Sequence, residues 1–145
     1  MICSKAGCGK TWASQQIRYT IAKCIRESHN QHGLEVPLLI PVQQLVGLVQ
    51  AEEGFTDLLQ RFVKQLTSAD VGIDLKVTGM LQTAISLKSI ILIVDGVDEA
   101  GDLSREMEYF VLRNLIMNGH TVVATSRPEG LRVIVEPEHR LGISI

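Results

Sequence analysis

The most constraining feature of the sequence is a run of five aliphatic residues, Ile90–Val94, that ends directly in a carboxylate, Asp95. All of them except Leu92 are β-branched, and no polar residue alternates with them. Such a run is typical of a strand that is buried on both faces of a parallel sheet. We therefore expect an α/β domain in which this strand lies in the interior of the sheet.

The rest of the chain alternates between helical and extended patterns. Apolar residues at helical spacing predict helices at about Lys10–Ser28, Phe55–Leu66, Leu75–Leu87 and Arg105–Met117. Val36–Val42 contains two prolines and is predicted to be an edge strand, whereas Thr121–Thr125 is predicted to be buried. This order predicts a doubly wound parallel sheet with ligands at the carboxyl ends of its strands.

Composition limits the classes of protein and of partner. With 145 residues, 46% of them hydrophobic, we expect one domain over residues 1–145. A net charge of -2 and a pI near 6.1 argue against nucleic acid or a membrane surface as a partner. Met1–Lys5 lacks the pattern of a signal peptide, and three cysteines indicate reduced thiols, so we expect a cytoplasmic or nuclear location, the cytoplasm first.

A glycine-rich loop, Ser4–Thr11, matches the phosphate-binding pattern G-x-x-x-x-G-K-[ST] except that Ser4 replaces the first glycine. In such a loop, backbone N–H groups surround the phosphates, a lysine contacts the terminal phosphates and a hydroxyl ligates Mg²⁺. The alternative is an ordinary glycine-rich turn before a helix. The residues predicted to bind nucleotide are Ala6, Gly7, Cys8, Gly9, Lys10 and Thr11.

Three carboxylates follow the buried strand, at Asp95, Asp98 and Glu99. At the carboxyl end of a strand, Asp95 can hold the magnesium ion that Thr11 ligates through the water shell of the ion, and Asp98 or Glu99 can orient or deprotonate a water molecule. The sequence does not choose between these last two acids. The alternative is a solvated turn whose acids cap the next helix.

A third polar segment, Thr125–Pro128, follows the second buried strand. Arg127 is predicted to lie at the same edge of the sheet, where its guanidinium can contact a γ-phosphate and stabilise charge during transfer. A surface turn of the Ser-Arg-Pro type is the alternative.

Taken in order, Gly9-Lys10-Thr11, Asp95-Gly96-Val97-Asp98-Glu99 and Ala124–Pro128 resemble the motifs of the NACHT family of signal-transduction ATPases, the STAND class of P-loop NTPases. The resemblance covers nearly the whole chain. Asp95–Glu99 is similar to that family's Walker B motif, the Ser4–Thr11 loop to its Walker A motif, and Ser126-Arg127-Pro128 to its sensor arginine. Ser4 departs from the family pattern.

The resemblance implies a P-loop sheet ordered 5-1-4-3-2, of which only Met1–Cys3 would represent the first strand. It also implies ATP or GTP with Mg²⁺ as cofactors, slow hydrolysis as a conformational switch, and a core that is incomplete at its N-terminus and lacks the downstream helical and winged-helix regions. The partners implied are other domains of a larger signalling protein and a homo-oligomer. Two alternatives stay open: an interaction fragment without nucleotide binding, and a small-molecule kinase, for which we find no acceptor pocket or lid.

Overall fold

The computed structural model describes residues 2–3, 7, 9–27, 35–49, 55, 57–66 and 75–127. Within these ranges the chain forms β1 (Ile2–Cys3), α1 (Lys10–Glu27), β2 (Val36–Pro41), α2 (Val42–Val46), α3 (Leu58–Leu66), α4 (Leu75–Ser86), β3 (Ile90–Asp95), a 3₁₀ segment (Val97–Leu103), α5 (Ser104–Tyr109), a π-helical segment (Phe110–Ile116) and β4 (Thr121–Ser126). No helix within these ranges is long and apolar enough to cross a membrane.

The strands form a parallel sheet in the order β1-β4-β3-β2. β3 lies between two neighbours and is buried at every position, as its aliphatic run predicts. β2 carries Pro37 and Pro41 and lies at the edge, because proline cannot donate to a second neighbour. The α/β class is thus confirmed. The described residues contain no fifth strand.

The hydrophobic core forms where β2 and β3 meet α2, α3 and the helical segments that follow β3. Its largest fully buried side chains include Ile40, Leu58, Phe62, Leu92 and Met107. These are the apolar stripes of the helices and the inward residues of the strands, so the predicted patterns account for the core. This packing holds the carboxyl ends of β2, β3 and β4 side by side.

The first helix is less buried than its pattern predicts. α1 lies against β2, β3 and β4, yet Ser14 is its only buried residue among those described. Its predicted apolar positions Ile17, Ile21 and Ile25 are only half-buried, and Cys24 is exposed. The deepest contact of this helix with the sheet is therefore polar.

The predicted boundary at Val42 is wrong, and backbone geometry explains it. Val42 begins α2 instead of continuing the strand, because Pro41 ends β2 with φ -66° and ψ 124° and precedes the first helical turn. The helix expected at Arg105–Met117 is confirmed to within one residue at each end, and a separate 3₁₀ segment precedes it, into which Gly96, at φ 80°, turns the chain out of β3. The 3₁₀ segment that follows β3 thus packs against α2 and β4.

Candidate functional site

The carboxyl ends of β3 and β4 bring Asp95 and Thr125 together. Val94 pairs with Ala124 in the parallel register, so the next residues on each strand are neighbours. The Thr125 hydroxyl donates to Oδ1 of Asp95 at 2.6 Å and accepts from the N–H of Gly96 at 3.0 Å. Asp95 is buried, and Thr125 is completely so. These bonds join the two strands at the edge where the sequence predicts a ligand.

Ser14 joins the first helix to the same carboxylate. Its hydroxyl is completely buried and donates to Oδ1 of Asp95 at 2.8 Å. Residues three and four apart lie on one side of a helix, so Lys10 and Thr11 lie one turn before Ser14 on the same side of α1. The start of α1 is therefore anchored beside the end of β3.

Asp98 and Arg127 form an ion pair. The Arg127 Nε lies 2.9 Å from Oδ2 of Asp98, and the Arg127 backbone N–H donates to Oδ1 at 2.9 Å. The Asp98 side chain is only 7% exposed, whereas that of Arg127 is 49% exposed. Both oxygens of Asp98 are therefore engaged, while the guanidinium keeps a solvent-facing part.

Glu99 has different surroundings from Asp98. It is exposed, and its Oε2 accepts a 3.0 Å hydrogen bond from Nε2 of Gln43 in the first turn of α2. Gly96 faces the same side chain: a Cβ there would lie 2.9 Å from Cδ of Glu99. Glu99 is thus positioned by groups that follow β2 and β3, with part of its carboxylate open to water.

The loop before α1 is described only at Gly7 and Gly9. Both have φ of 76°, a left-handed conformation that favours glycine, and α1 begins immediately afterwards at Lys10. Lys10 is half-buried, Thr11 is exposed, and no hydrogen bond or ion pair among the described residues holds either side chain. The predicted site residues Ala6 and Cys8 lie outside the described residues.

The described side chains combine positive groups with hard oxygen ligands. No group of three or more His, Cys, Asp and Glu residues in the described ranges is placed to hold a metal ion on its own. A magnesium ion bound with a phosphate needs only one or two protein oxygens, since water and phosphate supply the rest. Asp95 with Thr11 fits that requirement, although no hydrogen bond joins these two side chains within the described structure.

Three residues of this cluster were missed by the sequence analysis, which named neither Ser14, Thr125 nor Gln43 as a site residue. Thr125 lies within a segment singled out for Arg127, and the shared strand end was the signal that could have found it. Ser14 follows Lys10 by four residues, so helical spacing places it on the same side of the helix as Lys10. That spacing could have found it once Lys10 was predicted to bind phosphate. Gln43 follows Val42, which was expected to continue the strand. The sequence therefore offered no reason to place Gln43 in the first turn of a helix beside the site.

The described residues define an α/β protein whose parallel sheet gathers three carboxylates, an arginine and the start of a lysine-bearing helix at one edge. No model of a protein family matches the chain, and neither comparison with curated proteins nor comparison with solved structures gives a match.

Proposed function

We propose that the chain is a P-loop NTPase core of the NACHT type, which binds ATP or GTP with Mg²⁺ at the carboxyl edge of its sheet and hydrolyses it slowly as a conformational switch. The observation that carries this proposal is the 2.8 Å hydrogen bond from Ser14 to Asp95. It joins the helix that follows the glycine-lysine-threonine motif to the acid that follows the buried strand, although 81 residues separate the two in sequence.

The start of α1 supplies features that suit a phosphate. α1 has no acidic residue in its first turn, and the first N–H groups of a helix, which have no partner within the helix, carry partial positive charge. Gly7 and Gly9 are left-handed, which lets successive N–H groups of the loop face one anion. Lys10 adds a full charge at the first helical position, so a triphosphate is the anion class that this end suits.

Asp95 and Thr11 are the residues that would hold the magnesium ion. Both present oxygen, the ligand type that Mg²⁺ prefers, and Mg²⁺ when bound would neutralise the charge of the terminal phosphates. Ser14 and Thr125 keep the Asp95 carboxylate in one orientation. The protein's own part is thus to orient one oxygen ligand beside the phosphate-binding helix.

The contacts of the two remaining acids favour Glu99 over Asp98 for orienting water. Both oxygens of Asp98 are bound to Arg127, and the side chain is buried. Glu99 is exposed and holds one neutral hydrogen bond, so its carboxylate can accept a proton. Asp98 then positions Arg127, whose exposed nitrogens are available to a γ-phosphate.

Calorimetric titration with ATP and GTP, each with and without Mg²⁺, tests this function directly. We expect saturable binding that is stronger with Mg²⁺ for the wild type, and Asp95→Asn is expected to remove most of the gain due to Mg²⁺. Glu99→Gln is expected to retain nucleotide but to hydrolyse it more slowly, whereas Asp98→Asn should change affinity for the triphosphate through Arg127.

Two outcomes would reject parts of the proposal. A folded sample that gives no binding heat at millimolar nucleotide would overturn the switch function and leave the interaction fragment as the better interpretation. Unchanged turnover in both Asp98→Asn and Glu99→Gln would remove the catalytic role from this turn while leaving nucleotide binding intact. Glu27→Gln, an exposed change at the far end of α1, is the matched control.

A further inference from the structure

The two oxygens of Asp95 differ in their surroundings. Oδ1 accepts hydrogen bonds from Thr125 at 2.6 Å and from Ser14 at 2.8 Å. Ser14 and Thr125 are completely buried, and Asp95 is 8% exposed as a residue. Within the described ranges no hydrogen bond reaches Oδ2. Two described residues therefore hold one oxygen, and none of the described residues holds the other.

The direction of the bond from Thr125 follows from its second partner. A backbone N–H can only donate, so the Thr125 hydroxyl accepts from Gly96 with an oxygen lone pair. Its single proton then goes to Oδ1 of Asp95, which accepts when ionised. This chain of bonds runs from the first residue after β3, through β4, and back to the last residue of β3.

Ser14 has two acceptors within reach of one proton. Its hydroxyl lies 2.8 Å from Oδ1 of Asp95 and 3.1 Å from the backbone oxygen of Lys10. A charged acceptor makes the shorter and stronger bond, so the proton points to Asp95 when the acid is ionised. The carbonyl of Lys10 is the position to which this proton can turn when Asp95 is altered.

We propose that Ser14 and Thr125 are positioning residues that bind Oδ1 of Asp95 and thereby present Oδ2 alone to the magnesium ion, an inference that rests on the proposed function. Mg²⁺ demands near-ideal octahedral geometry, and groups that orient its ligands strengthen binding. A carboxylate held at one oxygen offers a single ligand in a fixed direction. The hydroxyls thus favour the metal-bound nucleotide over the free nucleotide.

A purely structural role makes a different prediction. If the hydroxyls only satisfy a buried carboxylate, their removal lowers stability but affects nucleotide binding equally with and without Mg²⁺. A positioning role changes the ratio of the two affinities. That ratio is measured by binding alone and does not depend on turnover.

The test compares Thr125→Val, which keeps the shape of the side chain but lacks the hydroxyl, with Thr125→Ser, which restores it. Ser14→Ala removes the second donor, and Thr121→Val is the control, because Thr121 is exposed at the opposite end of the same strand. For each protein, calorimetry gives the Kd of ATP in saturating Mg²⁺ and in EDTA, and a thermal melt verifies folding. Should Thr125→Val fail to fold, Ser14→Ala carries the test.

We expect Thr125→Val to reduce the Mg²⁺-dependent gain in affinity ~10-fold, the factor that one charge-assisted hydrogen bond commonly carries. Ser14→Ala is expected to reduce it less, because the Ser14 bond to Oδ1 is the longer of the two and its proton has a second acceptor in the Lys10 carbonyl, and Thr125→Ser should restore it. An unchanged gain in every folded variant overturns the positioning role while Mg²⁺-dependent binding by the wild type stands. Absence of nucleotide binding by the wild type overturns the proposed function, and this inference with it.

Discussion

The two ends of β3 and β4 differ in how far the hydrogen-bonding groups of their buried polar residues are satisfied. At the carboxyl end, Asp95, Thr125 and Ser14 satisfy one another, and the bonds join α1, β3 and β4. At the amino end, Lys88 donates to Nε2 of His120 at 3.1 Å, but Nδ1 of His120 is buried and has no hydrogen-bond partner among the described residues. A buried donor without a partner is a cost to folding.

The two ends thus differ in their proposed roles: we propose a ligand for the network at the carboxyl end and none for the Lys88–His120 pair. The carboxyl end has a carboxylate oxygen that no described residue hydrogen-bonds, a half-exposed arginine and a lysine at a helix start. The amino end instead borders an apolar groove of about 650 Å³ beside α4, lined by residues such as Val36, Met80 and Leu87. Substitutions at the carboxyl end should therefore alter binding more than stability, and those at the amino end should alter stability alone.

The largest effect is expected at Lys10, which is the only cation in the first turn of α1. Lys10→Ala should weaken binding of Mg²⁺-ATP by roughly 100-fold or more, because a charge-assisted contact with the terminal phosphates is lost. Trp12 reports the change: its side chain is 67% exposed beside Thr11, so its emission is sensitive to ordering of this turn by ligand.

Lys23→Ala is the matched control for Lys10→Ala. Lys23 lies on the same helix, is exposed, and makes only a 4.0 Å pair with Glu27. An exposed pair of this kind contributes little to stability. Equal binding by the Lys10→Ala and Lys23→Ala proteins would contradict the assignment of the carboxyl end as the ligand site.

Much of the sheet and the position of Asp95 at its edge could be predicted from the sequence, for physical reasons. Ile90–Val94 is so uniformly aliphatic that only burial on both faces explains it, and Asp95 at its end is conspicuous for the same reason. Pro37 and Pro41 restrict β2 to an edge. Local chemistry determines each of these features, so no knowledge of distant residues was needed.

The contacts across the site were not predictable, because they depend on how distant elements meet. The bond from Ser14 to Asp95 requires the crossing position of α1 on the sheet, and the pair of Asp98 with Arg127 requires the register of β4 and the turn after Gly96. The sequence predicted that Asp98 or Glu99 orients a water molecule and that Arg127 contacts the γ-phosphate. The structure adds that they bind each other, which changes the role we propose for Asp98.

A smaller effect is expected from alanine substitution of two glycines, one at each end of the strands. Gly96 follows β3 with φ of 80°, and Gly119 precedes β4 with φ of 85°. Alanine at either position is forced into the left-handed region and should lower the free energy of unfolding by about 1–2 kcal/mol, measured by urea denaturation. A Cβ at Gly119 meets nothing within 4 Å, whereas one at Gly96 would displace Glu99.

Only Gly96→Ala is therefore expected to slow nucleotide hydrolysis. Because the backbone cost is shared, any difference in turnover between the two variants reports the displaced carboxylate. Similar turnover in the Gly96→Ala and Gly119→Ala proteins would argue that the orientation of Glu99 does not matter for the reaction.

The smallest effect is expected from pH at the amino end. Burial, and then the positive charge of Lys88, lower the pKa of His120 below its ordinary value of 6.5. The unfolded chain then binds a proton at a higher pH than the folded chain does, so the free energy of unfolding rises with pH in this window. The stability contributed by neutral His120 is complete above about pH 6.5 and is lost as the pH falls towards the folded-state pKa.

His120→Gln can still accept a hydrogen bond from Lys88 but does not titrate, so urea unfolding between about pH 8 and pH 5 should show a weaker pH dependence than in the wild type. Identical pH dependence in the two proteins would show that the Lys88–His120 pair is not linked to folding. Nucleotide affinity should not differ between them at about pH 7.5, where His120 is neutral, because the pair lies at the end of the strands opposite to Asp95.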